Sequence, residues 1–103
     1  MVKSITEIED FKKELVDNKL VIIDYWANWC GPCKNIAPFY EELSKKYNAC
    51  FLKVDIDEAE ELSESVGIKC LPTFQIYKNG EKIEEINGAD KEKLESAIKN
   101  NLV

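Results

Sequence analysis

The sequence contains no histidine, and its 103 residues include only four glycines and three prolines. Long apolar runs are also missing: residues 20–23 form one of the longest, far short of the roughly 20 residues that a membrane-spanning helix needs. Residues 1–7 hold no apolar signal-peptide core, and residues 100–103 carry no retention or prenylation signal. We therefore expect a cytoplasmic protein with no membrane partner.

Basic charge is scarce relative to acidic charge. The chain has 14 lysine and arginine residues against 20 aspartate and glutamate residues, which gives a formal net charge of −6 at pH 7. Proteins that bind nucleic acids neutralise phosphates with clustered lysine and arginine side chains. The acidic balance therefore argues against a nucleic-acid partner.

The length and composition are those of a single globular domain, with 45% hydrophobic and 33% charged residues. A chain of this length buries about 60–70% of its unfolded surface on folding, so it needs no structural disulfide or metal. We expect one domain over residues 1–103. In a reducing compartment, its four cysteines are then free for redox or metal chemistry.

Hydrophobic spacing and turn residues predict elements in the order β-α-β-α-β-α-β-β-α. Strands are predicted at 2–5, 20–27, 50–55, 73–78 and 82–87, and helices at 33–47 and 58–65, with two further helices opening near Thr6 and Asp90. Parallel-type crossovers come first and a hairpin comes last. This order indicates an α/β fold with a mixed central sheet and helices on both faces.

Local signals mark the ends of several elements. Thr6 and Glu9 have the spacing of a capping box, which predicts a helix start at Thr6. The pair at residues 79–80, Asn-Gly, predicts a tight hairpin turn. Asp90 is a suitable cap for the last helix. The apolar residues that this helix is predicted to bury are Leu94, Ala97, Ile98 and Leu102.

Two cysteines, Cys30 and Cys33, lie where a buried strand gives way to a helix. At this spacing near a helix start, their side chains fall on one side and can meet the geometry of a disulfide. Pro32 suits the first turn, where its missing N–H costs nothing. The helix dipole and the unpaired N–H groups stabilise a thiolate at Cys30, whereas Cys33, one turn inside, retains its proton more tightly.

Other uses of a Cys-x-x-Cys pair fit this sequence poorly. A structural zinc site would want a second such pair or histidines, but Cys50 and Cys70 are single and the chain has no histidine. The residue after Cys33 is Lys34, so the segment is not a c-type haem attachment site. We therefore predict redox chemistry with no metal.

Residues 29–34 read Trp-Cys-Gly-Pro-Cys-Lys, which resembles the active-site signature of the thioredoxin family. Further segments that are similar to this family, in order along the chain, are residues 21–27, 37–38, 53–57, 71–74 and 79–81. The resemblance covers essentially the whole chain. It implies the thioredoxin fold, in which four helices flank a central mixed five-stranded sheet, and the activity of a protein disulfide reductase.

A carboxylate inside an apolar strand, Asp24, precedes Cys30 by six residues. Burial is costly for a carboxylate and should raise its pKa. The resemblance implies a buried acid below the cysteine pair that takes the proton from Cys33. The alternative is a strand-edge or bulge position with the side chain in water. The resemblance also places Lys53 near this acid, where it would modulate the site; the alternative is an exposed strand lysine.

The resemblance implies that a cis proline, Pro72, faces the cysteine pair; the alternative is an ordinary strand-entry proline. Leu71 would then offer backbone groups to a substrate strand. By the same resemblance, Trp29 and Gly88 complete a shallow apolar groove around Cys30. Gly31 is the remaining residue that, with Pro32, would shape the site.

The two remaining cysteines receive different predictions. Cys70 precedes Leu71 and should lie at the groove rim, where an exposed thiol can be modified or join two copies through an intermolecular disulfide. A cysteine at this position is similar to the animal-type cytosolic members of the family. Cys50 opens a strand and is predicted to be a small buried hydrophobe.

The predicted reaction is a two-step thiol–disulfide exchange on disulfide-containing proteins. Cys30 attacks the substrate disulfide, and Cys33, deprotonated with help from Asp24, releases the reduced substrate and leaves a Cys30–Cys33 disulfide. The resemblance implies recycling by an NADPH-dependent thioredoxin reductase. We expect no cofactor on this chain and a monomeric protein, which could form a dimer through Cys70. Two alternatives remain open: an oxidising or isomerising member of the same fold, and a binding module without a redox role.

Overall fold

The computed structural model describes residues 1–102, which form strands and helices in the predicted order. The elements are β1 (Val2–Ser4), α1 (Ile8–Asp17), β2 (Leu20–Trp26), α2 (Gly31–Lys46), β3 (Cys50–Asp55), α3 (Glu60–Val66), β4 (Thr73–Lys78), β5 (Glu81–Asn87) and α4 (Lys91–Asn100). The predicted α/β fold is confirmed. Across residues 1–102, no helix has both the length and the apolar character that crossing a bilayer would require.

The five strands form one mixed sheet in the order β1-β3-β2-β4-β5. β1 and β2 both pair with β3 in parallel, whereas β4 pairs antiparallel with β2 and with β5. The central strand, β2, is apolar on both faces and is buried from Leu20 to Tyr25. A strand covered on both faces carries apolar residues in succession, which explains the pattern that made this strand recognisable.

Alternate residues of β2 contribute to two separate cores because successive side chains of a strand point to opposite faces. Ile22 packs in the cluster that contains residues of α2 and α4, such as Ile36 and Leu94. Ile23 packs in the cluster on the other face, which contains Phe11 of α1 and residues of α3. The carboxyl end of β2 is therefore held rigidly between two packed layers.

Helix α2 is fixed directly to the centre of the sheet by Tyr40. Its buried hydroxyl lies 3.0 Å from the carbonyl oxygen of Ile22 and 2.7 Å from that of Leu52, and can donate to either. The helix begins at Gly31, two residues earlier than predicted, because Pro32 fits the first turn. The start of α2 is thereby placed immediately after the carboxyl end of β2.

Two predictions about helix starts have definite outcomes. Asp90 caps α4 as predicted, since its side chain accepts a hydrogen bond from the Lys93 amide at 3.1 Å. The predicted capping box at Thr6 is wrong. The N-cap of α1 is Glu7, whose side chain makes no capping hydrogen bond. The reason is that the amide of Ile5 bonds the carbonyl of Lys53 at 3.0 Å, which prolongs the extended chain and delays the helix.

The burial predicted for Leu102 is also wrong. Its side chain is 41% exposed, whereas Leu94, Ala97 and Ile98 are buried as predicted. Helix α4 ends at Asn100, so Leu102 lies beyond the last turn and does not continue the apolar face of the helix.

Candidate active site

Cys30 and Cys33 form a disulfide at the junction between β2 and α2, with their Cα atoms 5.3 Å apart. Cys30 is the N-cap of α2, and its sulfur accepts a hydrogen bond from the Cys33 amide at 3.2 Å. Anions are stabilised at this end of a helix by the dipole and by unpaired amides. The local sequence therefore places one sulfur where a negative charge is favoured.

The two cysteines face different surroundings. Cys30 lines an open groove of about 460 Å³, together with residues from the loops that follow β3 and α3. The residues lining it are Trp29, Cys30, Gly31, Pro32, Ile56, Ile68, Lys69, Cys70 and Leu71. Both residues are largely buried, Cys30 at 6% and Cys33 at 2% exposure, but Cys33 lines a separate cavity of about 100 Å³. A substrate in the groove therefore meets Cys30 first.

The exposed indole of Trp29 forms one wall of the groove. Its side chain is 70% exposed, and its Nε1–H donates a hydrogen bond to a carboxylate oxygen of Asp57 at 2.9 Å. An exposed aromatic side chain held by one directional bond presents a fixed apolar surface to a ligand. Trp29 was predicted to line the groove, and the structure places it there; Asp57 was not predicted.

The opposite wall of the groove contains Cys70 and the half-buried Leu71. The Leu71–Pro72 peptide bond is cis, and Pro72 is buried directly before β4. Gly88, with a φ of +102°, donates its amide to the carbonyl of Pro72 at 2.8 Å. Gly88 therefore holds this loop by a backbone hydrogen bond and is not among the residues that line the groove, where it was predicted to lie.

Asp24 is buried in the middle of β2, at 5% exposure, so the alternative of a side chain in water is excluded. Its Oδ1 atom has no hydrogen-bond partner among residues 1–102. Burial raises the pKa of Asp24 to about 7, and the positive charge of Lys53 opposes that rise. A carboxyl group with such a pKa exchanges protons close to neutral pH.

The cavity beneath the disulfide brings the predicted acid and the inner cysteine together. Asp24, Cys33 and Lys53 all line it, with the indole of Trp26 on one side. Lys53 pairs in register with Asp24 across β2 and β3, and its ammonium lies 5.7 Å from the centre of the Trp26 ring. Lys53 is half-buried against the site, so the alternative of an ordinary exposed lysine is wrong.

Sequence reasoning missed four residues around the groove: Ile56, Asp57, Ile68 and Lys69. All four lie in loops, after β3 or after α3, and reach the site only through the folding of the sheet. Ile56 and Asp57 belong to the family-like segment 53–57, but that resemblance gave them no role at the site. Ile68 and Lys69 belong to no such segment, and their one signal was a position after a predicted helix end, where loops bearing functional residues tend to lie.

The two other thiols differ in accessibility. Cys70 is exposed at the groove rim, as predicted, with its sulfur 3.7 Å from the Thr73 hydroxyl. Cys50 is half-buried, and its thiol donates to Glu14 at 3.6 Å. Burial raises the pKa of Cys50 to about 11, with the Glu14 carboxylate adding to the effect. Within residues 1–102, no group of three or more potential ligands is arranged to hold a metal ion.

Comparison with known proteins places this site in a family. A family model described as thioredoxin matches residues 2–100. Thioredoxin-1 of Schizosaccharomyces pombe is 50% identical over 103 residues, which cover 99% of this chain and 100% of that protein. Thioredoxin of Gallus gallus is 48% identical over 102 residues, covering 96% and 97%. A solved Plasmodium falciparum thioredoxin has a TM-score of 0.93 at 45% identity, covering 96% of this chain and 98% of that one.

A dithiol that closes at the start of a helix, beside an apolar groove on a mixed sheet, defines a thiol–disulfide oxidoreductase. The match of family model and relatives runs along nearly the whole chain. The chain belongs to the thioredoxin family. Members of this family are protein-disulfide oxidoreductases, and this protein is accordingly a protein disulfide reductase that works by dithiol–disulfide exchange through Cys30 and Cys33.

Proposed function

We propose that the two cysteines have distinct roles in this reduction, with Cys30 as the nucleophile and Cys33 as the resolving thiol. The observation that carries the proposal is the asymmetry of the pair. Cys30 lines the open groove, whereas Cys33 lines the small cavity that also contains Asp24. One sulfur is thus accessible to a substrate, and the other has an acid/base group within the same enclosed space.

In the first step, the Cys30 thiolate attacks one sulfur of a substrate disulfide. The substrate S–S bond breaks, a mixed disulfide with Cys30 forms, and the second substrate sulfur leaves as a thiolate that takes a proton from solvent. The Cys33 amide, which donates to the Cys30 sulfur at 3.2 Å in the disulfide form, would stabilise the attacking thiolate of the reduced form. The substrate chain lies in the groove between Trp29 and Leu71, where it pairs with the Leu71 backbone.

In the second step, Cys33 passes its proton to Asp24 and attacks the Cys30 sulfur. The mixed disulfide breaks, the substrate leaves with both sulfurs reduced, and the Cys30–Cys33 disulfide remains. Asp24 suits this role because its pKa of about 7 lets it accept a proton near neutral pH and release it afterwards. Lys53, which shares the cavity, tunes that acid.

The oxidised protein must be reduced before another cycle. We propose an NADPH-dependent thioredoxin reductase as the electron donor and disulfide-containing proteins as substrates, with no cofactor bound to this chain. The protein would act in the cytoplasm as a monomer of one domain over residues 1–103. Exposure of Cys70 at the groove rim supports it as the thiol through which two copies would join on oxidation.

The test is insulin reduction, followed by turbidity in the presence of dithiothreitol. The wild type and a Cys50→Ser variant, whose thiol lies outside the groove, should accelerate precipitation equally, whereas Cys30→Ser should be no faster than dithiothreitol alone. A wild type that is no faster than Cys30→Ser would refute the activity. Cys33→Ser should instead accumulate a mixed disulfide with the substrate through Cys30, detectable by mass spectrometry; its absence would contradict the assigned roles.

A second measurement separates reduction from oxidation or isomerisation on the same fold. The reduction potential of the Cys30–Cys33 couple is measured by equilibration with glutathione. A disulfide reductase should be more reducing than the glutathione buffer, whereas oxidases are strongly oxidising. A strongly oxidising couple would overturn the proposed direction of the reaction.

A further inference from the structure

The groove beside Cys30 is almost uncharged. Among residues 1–102, Lys69 is the one residue lining it that carries a formal charge at neutral pH. The other residues that line it are apolar side chains, glycine and the thiols of the site. A single charge in an otherwise apolar groove has a strong influence on which ligand residues bind there, because an opposite charge is attracted and a like charge is repelled.

Lys69 has no internal partner that would neutralise it. Its side chain is exposed, and within residues 1–102 it makes no ion pair and no hydrogen bond. The carboxylate of Asp57, beyond the opposite wall, is already engaged by the indole of Trp29. Glu64 lines an adjoining groove of about 370 Å³ that Lys69 also borders, but no ion pair joins the two side chains. The ammonium is therefore available to a ligand.

The position of Lys69 along the chain also favours contact with a bound substrate. It precedes Leu71 by two residues, in the loop whose backbone is proposed to pair with the substrate chain. A residue next to the substrate disulfide would lie beside this loop while its cysteine reaches Cys30. The overall charge of −6 repels acidic substrates at a distance. A local cation is therefore needed if a substrate with acidic residues beside its disulfide is to bind in the groove.

From these observations we propose that Lys69 is a specificity-determining residue that favours disulfides flanked by aspartate or glutamate. This inference rests on the proposed function and names a substrate class for it. The reaction is unchanged: the substrate disulfide is reduced to two thiols while Cys30 and Cys33 are oxidised to a disulfide. Lys69 acts by pairing with the flanking carboxylate when the substrate is bound, and it takes no part in bond exchange.

The test uses three synthetic peptides that contain one intramolecular disulfide and differ at the two residues flanking the first cysteine, which are Glu, Gln or Lys. The value of kcat/KM is measured for each with the reductase system supplying electrons. The wild type should reduce the Glu peptide faster than the Lys peptide. In Lys69→Gln, the ratio of the Glu to the Gln peptide should fall about two- to fivefold, the range expected for one exposed ion pair.

Two further variants sharpen the result. Lys13→Gln removes the same charge from an exposed position on α1 that does not line the groove, and it should leave the Glu-to-Gln ratio at the wild-type value. Glu64→Gln removes the carboxylate from the adjoining groove and should raise that ratio. Because dissolved salt screens exposed ion pairs, the Glu-to-Gln ratios of kcat/KM for wild type and Lys69→Gln should become equal in about 0.5 M salt.

The outcomes separate this inference from the function on which it rests. If wild type reduces the Gln peptide but Lys69→Gln keeps the wild-type ratio, or if Lys13→Gln lowers it equally, the role of Lys69 is refuted while the reductase activity stands. If wild type reduces none of the three peptides and also fails with insulin, the proposed function itself is refuted.

Discussion

Asp24 and Lys53 occupy the same register position on two neighbouring parallel strands, β2 and β3. Both side chains line the cavity beneath Cys33. Burial raises the pKa of Asp24 to about 7, while the charge of Lys53 keeps it from rising further. The pair therefore holds a buried carboxyl group at a pKa where it is partly protonated in neutral solution.

The first prediction concerns stability against pH in the oxidised protein. The pKa of Asp24 is about 7 in the folded state, against 3.8 for an ordinary aspartate. The folded state thus binds this proton more tightly, and the stability it contributes is full below about pH 4 and is lost as the pH rises to about 7. Asp24→Asn should therefore gain stability relative to wild type across this window, by on the order of 2–4 kcal/mol.

Urea denaturation at a series of pH values measures this difference. Glu42→Gln serves as the control because Glu42 is exposed in the middle of α2. Its stability difference from wild type gives the baseline for a carboxylate removed outside the cavity. A difference between Asp24→Asn and wild type that does not change with pH would contradict the raised pKa.

The second prediction concerns the influence of Lys53. Replacing it by methionine removes the positive charge that lowers the pKa of Asp24, so that pKa should rise above about 7. Titration of the Asp24 carboxyl carbon by NMR measures the change directly. Lys3→Met, which removes a charge paired with Glu14 elsewhere, should leave the Asp24 titration where it is in wild type. A Lys53→Met titration that moves downward would contradict the geometry described.

The third prediction concerns the bond between Trp29 and Asp57. Asp57→Ala removes the acceptor for the indole N–H, so the exposed indole should become more mobile. The order parameter of the Trp29 indole N–H, measured by NMR relaxation, should fall, and kcat/KM for insulin should drop about two- to fivefold, as for loss of an exposed polar contact. Asp57→Asn keeps an oxygen acceptor, so it should retain most of the wild-type order parameter and most of the wild-type kcat/KM. An unchanged order parameter in Asp57→Ala would count against this role.

The fourth prediction compares two buried tyrosines that differ in their hydrogen bonds. The hydroxyl of Tyr40 is within reach of two backbone carbonyls, whereas that of Tyr25 has no partner among residues 1–102. Tyr40→Phe should lower the free energy of unfolding by about 1–2 kcal/mol, because a buried acceptor loses its donor. Tyr25→Phe should leave it unchanged or raise it. Urea denaturation at one pH decides between these outcomes, and equal losses in both variants would refute the distinction.

Much of the fold is predictable from the sequence because it is determined locally. The apolar run of β2 requires burial on both faces, and the Asp90 carboxylate accepts an amide three residues later. The Cys30–Cys33 pair is also local, since both sulfurs belong to one helix start. The cap and the cysteine pair join residues that are close in sequence, and the burial of β2, although distant residues provide it, is recorded in the strand's own apolar run.

The features that escaped prediction depend on distant contacts. The start of α1 is delayed because Ile5 bonds to Lys53, far along the chain, and this contact overrides the capping signal at Thr6. The groove beside Cys30 is lined by residues of separate loops, which include Ile56 and Lys69. These residues become neighbours only when the sheet has formed, so their local sequence does not show that they meet.

The burial of Cys50 against Glu14 has a consequence for selectivity among the sulfurs of the protein. With a pKa of about 11, roughly one in ten thousand of these thiols carries the charge at pH 7 that nucleophilic attack requires. In the oxidised protein, where Cys30 and Cys33 are bonded to each other, the two free thiols are the half-buried Cys50 and the exposed Cys70. A thiol-reactive label should therefore attach at the rim of the groove well before it attaches at the start of β3.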